Sequence, residues 1–235
     1  TVTDYLPEEI KRQVTISSSL APVEWKDTKL NMIDTPGYAD FIGEVIATTR
    51  AIDNMLMVVC GVAGVEVQTE VIWDIAQGNK MPRIIFINKL ERENSCFETV
   101  VEQMREKYGT GIVPLQLPMG KEADFVGMID LLNEKAYKFE NGKSVEIPIP
   151  EEYMEEYEAN RTYLIEVAAE SCDELLLKYL EGEIPTNKEI LSALRMGIAN
   201  GEIFPVVGGS VAKNMGIDVL MDVCVDLLPI PTVNA

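Results

Sequence analysis

Two short clusters carry the residue types that phosphate and base chemistry need: Asp34-Thr35-Pro36-Gly37-Tyr38 and Asn88-Lys89-Leu90-Glu91. An aspartate ending an apolar run can hold a magnesium-bound water. A glycine shortly after it lets a backbone N–H approach a terminal phosphate with no side chain in the way. Losing that phosphate would release the segment, which makes it a switch. Taken alone, the same letters also read as an ordinary Pro-Gly turn with a solvated aspartate. The second cluster narrows the choice. Asn88 can tie loops together, Lys89 can lay its alkyl stem over a flat base, and the Glu91 carboxylate can accept the two edge donors of guanine. Further on, Gly208-Gly209-Ser210 can add backbone N–H groups for a base oxygen.

These clusters need a scaffold that ends strands beside one another. Residues 15–25 and 28–35 suit extended strands joined by a Lys26-Asp27 turn, and 54–60 and 82–88 are nearly all-apolar runs of strand length. Between them, 39–53, 66–79 and 96–109 space their apolar residues as helices do. The alternation predicts an α/β fold with a mostly parallel sheet covered on both faces, where ligands sit at the carboxyl ends of the strands. Both clusters fall at such ends. After residue 109 the style changes: short alternating runs, an Asn141-Gly142 hairpin signal, then a long acidic helical segment over 151–181 and another helix after Thr186. Residues 203–210 and a helix ending near Leu228 resume the first style.

The chain has 235 residues, 47% of them hydrophobic, so it can bury a core and has no disordered signature. No apolar run approaches the ~20 residues of a membrane span. Histidine is absent, which removes the commonest general base and zinc ligand. Cys60, Cys96, Cys172 and Cys224 form no C-x-x-C pair and are expected to be reduced, mostly buried thiols of a cytoplasmic protein. A net charge of −19 repels nucleic-acid backbones, so no sequence-specific nucleic-acid contact is expected.

Taken together, the motifs resemble those of translational GTPases, most specifically the elongation factor G family and its second-type paralogue. Residues 4–16, Asp-Tyr-Leu-Pro-Glu-Glu-Ile-Lys-Arg-Gln-Val-Thr-Ile, are similar to the family's switch I, which implies Thr15 as a magnesium ligand. Residues 34–41 resemble switch II, Asp-Thr-Pro-Gly-His-x-Asp-Phe. Residues 88–91 resemble Asn-Lys-x-Asp, and 209–217 resemble the Gly-Ser-Ala-x-Lys-Asn-x-Gly loop. The resemblance spans the whole chain. It implies GTP/GDP and Mg2+ as ligands, with Asp34, Thr35, Pro36, Gly37, Tyr38, Asn88, Lys89, Leu90, Glu91, Ser210 and Val211 around the nucleotide. Thr15 would serve the metal directly and Asp34 through water.

The chain departs from the family at four points. The Gly-x-x-x-x-Gly-Lys-Ser/Thr loop is nowhere in it. Because the chain opens on Thr1, it reads as a fragment without the central strand and phosphate loop, poor at binding GTP by itself. Tyr38 stands where the family has the water-positioning histidine, Glu91 replaces the base-reading aspartate, and Gln13-Val14 replace Gly-Ile. The implied organisation is a GTP-binding domain over 1–109 and 205–228, an inserted α+β subdomain over 110–204, and 229–235 as a linker toward a further domain. Residues 109–204 hold 8 basic and 19 acidic side chains, a net −11. The resemblance implies that this acidic insert meets the ribosomal stalk protein's C-terminal domain, the chain acting as a monomer on the ribosome in translocation or recycling. A ribosomal protection protein is a neighbouring reading. A non-hydrolysing ribosome-binding module with a degenerate site is the alternative.

Overall fold

Residues 2–231 are described by the computed structural model, so the end of the expected 229–235 linker lies outside the described residues. In chain order, α1 (Pro7–Arg12) precedes β1 (Ser19–Trp25), β2 (Thr28–Asp34), α2 (Ile42–Thr48), β3 (Met55–Cys60), α3 (Val67–Gly78) and β4 (Arg83–Asn88). Then come α4 (Phe97–Tyr108), β5 (Ile112–Pro114), β6 (Gln116–Met119), β7 (Gly127–Asp130), β8 (Lys135–Glu140) and β9 (Lys143–Ile147). The chain closes with α5 (Met154–Glu170), α6 (Asp173–Leu180), α7 (Asn187–Ala199), β10 (Phe204–Gly208) and α8 (Ile217–Leu227).

The predicted parallel sheet is present, in the order β3-β4-β10-β5 with every pair parallel. Its strand β4 is apolar from Ile84 to Ile87 because both of its faces are covered. Ile85 and Ile87 pack with Trp73 of α3 and with Phe97, Val100 and Met104 of α4. Ile84 and Phe86 turn to the other face, in one cluster with residues of α5, α7 and α8. At the start of β4, Arg83 is wholly buried with its guanidinium 4.1 Å from the Trp73 ring centre and 4.4 Å from that of Phe204. Burial pulls this guanidinium down to about 10. Strand β5 lies inside the 110–204 stretch yet belongs to this sheet, so the main fold reaches further along the chain than the change of pattern at 109 suggests.

Strands β1 and β2 form a separate antiparallel hairpin. Its two-residue turn places Lys26 and Asp27 at φ 45° and 58°, the left-handed pair whose twist suits a hairpin. The first strand begins at Ser19 rather than at Thr15, and hydrogen bonding gives the reason. The N–H groups of Ile16 and Ser17 go to the Glu9 carboxylate and that of Ser18 to Glu44, leaving them no ladder to join.

The insert's sheet is the antiparallel meander β6-β7-β8-β9, with Asn141 and Gly142 at φ 51° and 74° in the expected tight turn. The single helical segment expected over 151–181 is two helices. Cys172 turns extended between them (φ −147°, ψ 107°), and Asp173-Glu174 then favour a new helix N-terminus. The break lets Leu175 join Tyr157, Leu164 and Val167 in the core. Thr186 caps α7 as expected, exchanging hydrogen bonds with Glu189. The cysteines depart from expectation: only Cys224 is buried, while Cys60, Cys96 and Cys172 are partly exposed. Cys60 ends a strand at the sheet's edge, and Cys96 and Cys172 sit at helix starts. Among the described residues no helix is long and apolar enough to cross a membrane.

Candidate functional site

At the carboxyl end of β4 the chain turns sharply. Lys89 adopts φ 68°, and the Asn88 side-chain oxygen accepts the N–H of Lys89 at 2.8 Å and that of Val211 at 3.0 Å. A second bond, from Leu90 N to Gly209 O at 3.3 Å, runs parallel. Residues 88–91 and 209–211, 123 positions apart at the Asn88–Val211 bond, thereby become one surface. Glycine makes the approach possible: a Cβ on Gly61, after β3, would lie 3.0 Å from Asn88 O, and one on Gly209 would lie 2.4 Å from Met215 O. The Ser95 hydroxyl closes the loop from behind by donating to Leu90 O at 2.8 Å. The sequence alone does not single out Gly61 and Ser95, because their role is in contacts between distant segments.

Within this surface, one carboxylate oxygen of Glu91 is buried with no hydrogen-bond partner, while the other is 4.0 Å from Arg92 Nε. A buried carboxylate oxygen left unmatched is costly, and it fits a place where a ligand's N–H donors complete the set. Leu90 is buried between the loops and anchors the turn. The expected pair of backbone donors for a base oxygen is met only in part. Ser210 is fully buried and its N–H donates to Met215 O at 3.0 Å, closing a small bridge, so it does not face the surface. Val211 alone presents its N–H there, and Asn88 holds it.

The other cluster stands at the end of β2, on the separate hairpin. Among the described residues no hydrogen bond joins Asp34–Tyr38 to either loop, whereas 88–91 and 209–211 are tied to each other. Asp34 instead accepts the Thr3 hydroxyl at 2.6 Å, and Thr15 donates its hydroxyl to Asp4 at 2.8 Å. Thr35 is half-buried, Pro36 is buried, and open space surrounds the Cα of Gly37. Tyr38 is 61% exposed and leads into a short 3-10 turn, Ala39–Phe41.

The segment before β1 is held by Glu9. Its carboxylate accepts the N–H groups of Ile16, Ser17 and Leu6 at 3.0, 3.1 and 3.0 Å, and these bonds hold its pKa below the ordinary value. Gln13 ends α1 at φ 55°, ψ 42°, the left-handed conformation that glycine adopts without strain.

As to metal, no cluster of three ligating side chains exists among the described residues. Magnesium needs no such cage: it is held through one or two carboxylates plus phosphate oxygens and water. The Thr15 hydroxyl and the Asp34 carboxylate are suitable donors in kind, each engaged with a neighbour in this structure.

A doubly covered parallel sheet with polar turns at its strand ends, one of them tied through Asn88, defines a nucleotide-binding domain of the GTPase type. The profile of the elongation factor Tu GTP binding domain matches residues 1–230, and the chain belongs to that family. More particularly, it is 41% identical to elongation factor G of Mycoplasma pneumoniae and 40% identical to that of Mycoplasma genitalium, each over 98% of this chain. It spans about a third of the length of these curated relatives, 34% in both cases. A crystal structure from Thermus thermophilus superposes with a TM-score of 0.91 at 33% identity, covering 97% of this chain and 34% of that one.

Proposed function

We propose that the chain is the GTP-binding domain of an elongation factor G-type GTPase, which couples GTP hydrolysis to a ribosomal step, translocation or recycling. The observation that carries this is the joined 88–91 and 209–211 surface, with the Glu91 oxygen buried in it and lacking a donor. Asn88, Lys89, Leu90 and Glu91 would bind the guanine, with Ser210 shaping the loop and Val211 supplying its N–H. Asp34, Thr35, Pro36 and Gly37 would approach the phosphates, Gly37 being the place where a backbone N–H can come closest. Thr15 and Asp34 would hold Mg2+, the latter through water. A bound metal–nucleotide pair supplies the transferable phosphoryl group and neutralises its charge. The chain's own residues bind, orient and exclude water. Tyr38 would occupy the position that orients the attacking water, where a phenol offers a single hydrogen bond and no imidazolium.

Under this reading the GTP-binding domain is 1–109 and 205–228, and 110–204 is the insert apart from β5. The insert's net −11 suits a basic partner such as the ribosomal stalk protein's C-terminal domain, through steering more than affinity. The expected result is ribosome-stimulated, single-turnover GTP hydrolysis by the full-length gene product, with an association step that slows steeply as salt rises. Tyr38→His is expected to speed the hydrolytic step about tenfold. Equal rates for the two forms would remove Tyr38 from the reaction, and salt-independent association would remove the acidic insert from docking. Binding to ribosomes with no turnover would leave a non-hydrolysing module.

One further strand is inferred. Among the described residues strand β3 pairs only with β4, and Val58 at its middle is 58% exposed. An unpaired, apolar strand edge is a hazard that folded proteins cover. A strand carrying the phosphate-cradling Gly-x-x-x-x-Gly-Lys-Ser/Thr loop would pair with that edge. Reading the coding sequence upstream of Thr1 tests this; an uninterrupted upstream stretch without that loop would refute it.

A further inference from the structure

The 209–217 loop is clamped from outside by the insert. The Asn214 amide, on a residue at φ 52°, donates to Gly142 O at 3.0 Å at the tip of the β8–β9 hairpin. A Cβ on Gly142 would lie 3.0 Å from that amide nitrogen, and φ 74° is a conformation that favours glycine, so the tip is suited to glycine. Two residues on, the Ser144 N–H and hydroxyl donate to the two Asp218 carboxylate oxygens, at 2.9 and 2.5 Å. The Phe139 ring lies 3.3 Å from where a Cβ on Gly216 would sit. Ahead of these clamps the loop is braced on itself: Ser210 and Met215 exchange backbone bonds at 3.0 and 2.9 Å, and Lys213 N donates to Ser210 Oγ at 3.2 Å. A shift of the hairpin is therefore passed to Val211, whose N–H is the group that meets Asn88.

We infer that Asn214 and Ser144 are positioning residues for base discrimination: through them the insert's hairpin sets where the Val211 N–H stands, and with it how that N–H, donated to the Asn88 oxygen in this structure, is shared with or handed to the purine 6-oxygen. This rests on the guanine-reading assignment made above. Neither side chain touches the base surface. Each acts through the loop it holds.

The test uses the full-length gene product and compares binding of GDP with that of 6-thioguanosine diphosphate, which keeps the other edge groups but offers sulfur, a weaker acceptor, at position 6. The unsubstituted protein prefers GDP. In the Asn214→Asp, Ser144→Ala double variant, which keeps a residue tolerant of positive φ at 214, the preference is expected to narrow about three- to tenfold. Ser144→Thr with Asn214 intact, which retains the hydroxyl, is expected to keep it. A merely structural brace would weaken both nucleotides equally, and an unchanged preference in a folded double variant overturns the proposal. Ser144→Ala alone keeps the backbone bond to Asp218 and gives a smaller narrowing in the same sense. It serves if the double variant does not fold, and an unchanged preference there overturns the proposal too. Absence of any GDP preference in the unsubstituted protein would instead sink the base-reading assignment, a result distinct from the others.

Discussion

Replacing Asn88 with alanine in the full-length gene product is expected to weaken GDP binding by roughly 30- to 1,000-fold, from about 2–4 kcal/mol of lost loop ties. The Asn88 oxygen accepts two backbone N–H groups, from Lys89 and from Val211, and truncation leaves both without that acceptor. Among the described residues the segments are otherwise tied by Leu90 N to Gly209 O at 3.3 Å and, just before the turn, by Gly209 N to Ile87 O at 3.0 Å. The sheet itself should persist, because β4 is buried on both faces by contacts that do not involve the Asn88 side chain. Equilibrium binding and thermal unfolding measured on the same preparation separate these effects. A loss of affinity below tenfold, or one matched by global unfolding, would deny Asn88 the organising role.

The strands and helices of the main sheet were legible because their signal is local. A run such as Ile-Ile-Phe-Ile (84–87), apolar with no alternation, can be satisfied only between two covered faces, and β4 is where that happens. The Asn-Gly and Lys-Asp turns likewise announce themselves in two residues. What was not legible depends on partners far along the chain. The start of β1 is displaced to Ser19 because a carboxylate at position 9 and another at position 44 take the N–H groups of residues 16–18. The break at Cys172 has no glycine or proline to mark it and is set by where Leu175 must pack. The partial exposure of Cys60 follows from its place on an edge strand, which composition does not reveal.

The same division holds at the site. Asn88, Lys89 and Glu91 stand out by their spacing after a buried strand, and the structure joins them to the 209–211 loop. That Ser210 would spend its N–H on Met215, and that Asp34 and Thr15 would be occupied by Thr3 and Asp4, depends on loop closure that no periodicity encodes. Over residues 2–17, Glu9 gathers the N–H groups of Leu6, Ile16 and Ser17, Thr15 pairs with Asp4, and Thr3 reaches Asp34. These residues are individually plain in the sequence, but their pairing is not.

Glu91→Gln is expected to lower GDP affinity by roughly 100- to 10,000-fold, since two hydrogen bonds to a charged acceptor are worth about 1.5–3 kcal/mol each. One Glu91 oxygen is buried without a protein donor, so it has acceptor capacity to spare, and guanine brings two adjacent N–H donors to its edge. An amide keeps one acceptor but sets its own N–H groups against those donors. Xanthine carries a carbonyl oxygen in place of guanine's amino group, so the same variant is expected to gain relative affinity for xanthosine diphosphate. Glu91→Asp keeps the charge but withdraws it by one methylene, and about 1–3 kcal/mol of mismatch is expected unless the 88–91 turn follows it. Competition of the two diphosphates against one labelled nucleotide resolves all three cases. If the unsubstituted protein bound both equally, or the Gln variant kept its preference for guanine, the buried Glu91 oxygen would need some occupant other than a base edge.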